Sequence, residues 1–124
     1  MSKKVTISDI LERKKIIKPL ELKFYSETLG GEIEIKKINP DKISELVNQQ
    51  QNIGQYRAYL KIIYESCPLF QSKELHSEFK PVEPFEIVDL IFETNLNEIY
   101  SLGNKILEIY GFLPRTDVET VKKQ

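Results

Sequence analysis

Cysteine, histidine and long apolar runs are what this chain has least of. The lone Cys67 excludes an internal disulfide and fits a reducing compartment. One cysteine and one histidine cannot build a zinc site of ordinary composition within one chain. As a general base, His76 would need a nucleophile in hydrogen-bond reach and a group to orient its ring. Cys67 lies nine residues away across Pro68 and a turn, and nothing in the sequence specifies that pair. Cys67 therefore reads as a small core residue and His76 as a surface residue of a short helix. No apolar run approaches the roughly 20 residues of a membrane span. Residues 1–17 are basic but lack the apolar centre of a secretory signal. Gly30-Gly31 lacks the further glycines and the Lys-Ser/Thr of a phosphate loop. The expectation is a protein that is not an enzyme, with no catalytic residue, metal or cofactor, and that works by binding another protein.

What is present is ordinary in amount and uneven in placement. Hydrophobic residues make up 40% and charged residues 30% of the 124 residues, as in a single globular domain. The net charge is only −1, yet residues 1–25 hold seven Lys/Arg against three Asp/Glu. Residues 74–110 hold eight Asp/Glu against Lys80 and Lys105. An acidic surface repels phosphate backbones, so nucleic acid is not expected as a partner. Glu83, Glu86, Asp89 and Glu93 recur every three or four residues, the spacing of a solvated helix face. Without an oxygen-rich loop they do not read as a cation site.

The order of elements can be read from turn chemistry and period. A basic arm, 1–19, contains a short helix over 9–15, with Ser8 as its cap and Glu12 near the place a capping box would need it. A β-hairpin follows over 20–38. Leu20, Leu22 and Phe24 alternate with charged residues and Tyr25, Leu29-Gly30-Gly31 supplies the turn, and Ile33 and Ile35 alternate again. A lone hairpin is unstable in water, so its apolar face must lie on the helices or on another chain. Residues 39–113 read as a helical domain, expected to fold by itself. Asn39-Pro40-Asp41 opens one helix, and Gly54 and Pro68 bracket a second. Ser72 caps a third, Pro84 opens a fourth over 85–93, and Asn95 with Glu98 opens the last, which Gly111 ends. The polar run Gln49 to Asn52 reads as a helix end or a loop. The tail, 114–124, has little to bury and reads as flexible. The fold class is thus α+β, mainly α: an N-terminal hairpin packed on, or swung away from, a bundle of about five helices.

One surplus suggests a surface. Leu102 and Ile109, seven residues apart beside the main stripe of the last helix, widen its apolar arc to about half the circumference, beyond the ~100° that faces a core. Phe112 and Leu113 follow at once. Either this helix is deeply inserted, or the excess is an exposed patch that binds a partner. The candidate partner-binding residues are Leu102, Ile109, Phe112 and Leu113, with Glu86, Asp89 and Glu93 steering a basic partner. The unpaired edges of a two-stranded sheet add an expectation of self-association into a homo-oligomer.

Four phrases also resemble a known family. They are L-K-I-I-Y-E-S-C-P ending at Pro68, Lys73-Glu74-Leu75, P-F-E-I-V from Pro84, and N-E-I-Y-S-L-G-N-K-I-L-E-I-Y-G-F ending at Phe112. With N-P-D-K-I-S-E-L-V from Asn39, they resemble the XkdN-like tail assembly chaperones of phages and phage-like elements (prophages) of Gram-positive bacteria. The chain departs from that pattern at Thr94-Asn95, where such proteins often carry Pro-Gly. The resemblance implies a non-enzymatic protein of the host cytoplasm, absent from the mature virion. It would transiently bind the tape measure protein and assist tail tube assembly, with the tail tube protein as a second partner. The competing assignment is a structural virion component, a head–tail or tail-completion protein. The resemblance also raises a frameshifted longer product, for which Lys122-Lys123 would be the junction.

Overall fold

The structure, a computed structural model, describes residues 4–16 and 22–113, with side chains of the first segment described to Arg13. Helix α1 spans Ile7–Ile16. The hairpin is β1, Lys23–Ser26, and β2, Gly31–Glu34. Six helices follow: α2 (Pro40–Asn48), α3 (Gln50–Ile53), α4 (Gln55–Ser66), α5 (Lys73–Phe79), α6 (Ile87–Phe92) and α7 (Leu96–Ile109). Single 3-10 turns, Pro68–Gln71 and Pro84–Glu86, precede α5 and α6. The mainly helical α+β reading holds. The helix beyond the expected five is α3, because Gln49 to Asn52 continues as a helical turn instead of a loop.

Most caps are those the sequence specifies. The Asn39 side chain accepts the Asp41 N–H at 2.8 Å, with Pro40 opening α2. Ser72 accepts the Leu75 N–H, and Asn95 accepts the Glu98 N–H at 3.2 Å. At α1 the cap differs from the expected Ser8. Thr6 and Asp9 close a reciprocal box, Asp9 N–H to Thr6 Oγ1 at 3.1 Å and Thr6 N–H to Asp9 Oδ2 at 3.0 Å. Thr6 wins because its partner stands three residues on, the separation a box requires.

Helix α4 is the hub. It touches α2, α3, α6, α7 and both 3-10 turns, and it buries Ala58, Tyr59, Leu60, Ile62, Ile63 and Ser66. Its approach to α7 is close because Gly103 lacks a side chain. A Cβ there would stand 2.8 Å from Tyr59 Cε2 and nearer still to Cδ2. The Tyr59 ring cannot swing aside freely, since its hydroxyl donates to Asn104 Oδ1 at 2.6 Å and Tyr100 packs edge-on at 5.0 Å. Pro68 ends α4 and turns the chain so that Phe70 is fully buried against Phe92.

The hairpin belongs to the same core. Phe24 pairs with Ile33 across an antiparallel ladder, and the 27–30 loop closes through Gly30 at φ 73°. Ile33 and Ile35 are buried among the helical core residues, with Leu22 and Phe24 packed half-buried beside them. The Lys36 N–H donates to Ser66 O at the end of α4, and the Ile38 N–H donates to the Tyr110 hydroxyl. The hairpin is packed on the bundle, and 39–113 is not a separate hydrophobic unit. Leu20 and the tail 114–124 lie outside the described residues.

Candidate functional site

Leu102 is wholly buried, so the widened arc of α7 is not a surface at that position. It belongs to the common core, where α7 packs on α4 and α6 and β1 also lies against it. Ile109 and Leu113 are half-buried and pack against the core, and Phe112 alone of the four is largely exposed. The apolar half of the sequence-derived site therefore does not form one patch.

The acidic half does lie beside an apolar surface. Glu86 and Asp89 line a groove of about 400 Å³ between α4, the end of α5 and α6. Its apolar wall includes Phe79 at 42%, Val82 at 91% and Leu90 at 41% exposure. Large apolar side chains left this open side by side are what mark a docking surface, whereas a single exposed leucine is not. Local backbone sets them there. Helix α5 ends as Lys80 takes a left-handed φ of 49°, and the segment from Pro81 to Pro84 holds Val82 away from the bundle.

The groove has fixed polar walls. The Tyr56 hydroxyl donates to Asp89 Oδ1, and the Tyr56 ring packs edge-on to Tyr100 at 6.0 Å. Burial, then the Asp89 hydrogen bond and charge, push the Tyr56 hydroxyl far above its ordinary value, so it stays a donor. Glu86 is held from two sides: Oε1 accepts the Glu83 N–H at 3.2 Å, and Oε2 pairs with Arg57 at 3.4 Å. Arg57 also lies over the Phe85 ring at 5.0 Å. Glu93 is exposed at the end of α6, in a left-handed conformation, and is not among the lining residues.

Reasoning from sequence missed Phe79, Val82 and Leu90. The available signal was the K-P-V-E-P run, where an apolar residue stands between two prolines and two charges and so has no helix or strand face to join.

The other residues weighed for chemistry are tied into the fold. Cys67 is fully buried, and burial pushes its thiol up to about 12, which leaves it protonated. One ring nitrogen of His76 lies 2.9 Å from Phe70 O, and the ring packs edge-on to Tyr64 at 5.8 Å. Among the described residues no group of three or more His, Cys, Asp or Glu could hold a metal ion, and no helix is long and apolar enough to cross a membrane.

A second buried polar centre is structural. The Glu98 carboxylate, on the first turn of α7, accepts from Ser26 Oγ, from Thr28 Oγ1 at 2.6 Å and from the Thr28 N–H at 3.2 Å. Ser26 Oγ in turn accepts the Leu29 N–H at 3.0 Å. Burial acts to raise the Glu98 carboxyl. The hydrogen bonds from Ser26 and Thr28 act against it and together hold the group below its ordinary value.

Comparison with known proteins speaks to the fold. No family model and no curated protein matches the chain. Among solved structures it is similar to the crystal structure of the protein YqbN, a structural-genomics target, with a TM-score of 0.61. The two are 24% identical over 89% of this chain and 100% of that one.

Proposed function

We propose that this protein is a phage or prophage tail assembly chaperone that transiently holds the tape measure protein while tail tube subunits assemble around it. The observation that carries the reading is the groove of Phe79, Val82 and Leu90 with Glu86 and Asp89 on its wall. A tape measure protein is a long helical chain prone to aggregate. An amphipathic helix seats its apolar side chains in a groove of this kind, and acidic walls favour basic residues beside that stripe. The resemblance of the 59–112 run to the XkdN-like chaperones supports the same reading. So does the state of Cys67 and His76, one buried and protonated, the other engaged by a backbone carbonyl and a ring. In this reading the protein acts without catalysis, works in the host cytoplasm, self-associates and leaves before the virion is complete.

Co-expression tests it. The tape measure protein encoded in the same tail gene cluster should stay soluble with this chain and precipitate without it. Purified particles should lack the chain. A stoichiometric copy number in particles would instead identify a head–tail or tail-completion protein.

A further inference from the structure

The described side chains of helix α1 take no part in the core. Of its described residues none belongs to the buried cluster or to the half-buried shell around it. Ile7, Ile10 and Leu11 stand one helical turn apart on one face and are 78%, 60% and 56% exposed. Asp9, Glu12 and Arg13 fall on the opposite face by the same spacing. A ten-residue helix is marginal in water on its own, and the Thr6–Asp9 box offsets only part of that deficit. An amphipathic helix this short is expected to be covered.

We infer that α1 of one copy seats in the Phe79–Val82–Leu90 groove of a second copy, and that the exchange is reciprocal. Two observations select this occupant. The chain carries two unpartnered apolar surfaces of complementary form, a three-residue helical stripe and a groove open to solvent, and they do not meet within one copy. Their charges are also opposite. The arm 1–19 holds six basic against two acidic residues, whereas the groove's own two carboxylates and two cations balance and exposed Glu78 and Glu83 flank it in sequence. Arg57 and Glu86 neutralise each other as a pair, so the acidic excess beside the groove comes from Glu78 and Glu83. A two-fold exchange forms the same contact twice and closes the pair. It also keeps the groove covered in the absence of a client, so the client must displace α1. The inference rests on the groove being a protein-docking surface, as proposed above, and not on which client it serves.

The test uses the full chain alone. Sedimentation velocity over a dilution series should show a monomer–dimer equilibrium. Ile10→Asp with Leu11→Asp should weaken the dimer by about tenfold or more, as should Val82→Asp with Leu90→Asp, because each removes the apolar centre of both contacts. All four side chains are more exposed than buried or nearly so, and the thermal midpoint of the monomer should hold. Mixing the two variants should give a heterodimer weaker than the wild-type dimer but tighter than either variant alone, since one intact stripe then meets one intact groove while the second contact stays broken. A wild-type monomer at every concentration would overturn the inference. So would a groove variant that dimerises normally, which would mean that α1 pairs with another α1. So would a mixture that associates no more tightly than either variant alone. Because no client is present, these outcomes are independent of whether the tape measure protein binds.

Discussion

The hairpin puts Ile33 and Ile35 into the core and sets Ser26 and Thr28 against Glu98, whereas α1 leaves Ile7, Ile10 and Leu11 in solvent. Both are short N-terminal elements, and both are poor folders alone. The hairpin is a structural part of the domain, covering α7 and satisfying a buried carboxylate. The helix is locally stabilised by its cap and is available to another surface. Short elements near one terminus thus divide into one that completes the core and one that can leave it.

Deletions should show the largest contrast. Removing residues 1–38 strips two buried isoleucines, at roughly 2–5 kcal/mol each, and leaves Glu98 without its side-chain partners. That sum is comparable to the whole stability of a small domain, roughly 5–15 kcal/mol. Such a chain should melt without a cooperative transition, contrary to the expectation that 39–113 folds by itself. Removing residues 1–16 should leave a cooperative melt with a nearly unchanged midpoint. Circular dichroism of both chains would decide it.

Single substitutions should repeat the contrast on a smaller scale. Ile33→Ala should cost about 2–5 kcal/mol in urea unfolding, whereas Ile10→Ala in the monomer should stay within about 0.5 kcal/mol. Equal costs would erase the distinction between the two elements.

A pH series gives the smallest and most specific effect. The Glu98 carboxyl is depressed in the folded protein, so the carboxylate is the form that folding favours. Its contribution is fully present above the ordinary carboxyl value of 4.5 and is lost as pH falls through the lower folded value. The stability difference between the wild-type chain and Glu98→Gln should therefore shrink as pH falls below that value. A difference that stays constant with pH would mean the hairpin is not held by this charge.

Much of this fold is legible in the residues because the signals are local. Asn39-Pro40, Ser72, Asn95 and Pro68 each act within a few residues, and the caps and breaks fall where they stand. The hairpin is legible in its alternation. The burial of Leu102 is not, since a helical stripe records how wide an apolar arc is and not what covers it. Glu98 illustrates the same limit: its N–H caps with Asn95 as the sequence suggests, but its side chain crosses to Ser26 and Thr28, 72 and 70 residues away. The groove was half legible. Glu86 and Asp89 stand out as a periodic acidic pair, while Phe79, Val82 and Leu90 come together only through the turn at Lys80 and the two prolines.

The central claim, that this groove binds a helical protein client, is tested most directly by titrating the tape measure protein into the wild-type chain and into Val82→Asp with Leu90→Asp. The wild type should bind saturably, and the variant, which should keep its melting temperature, should bind with an affinity lower by about tenfold or more. Equal binding by both chains would contradict the claim.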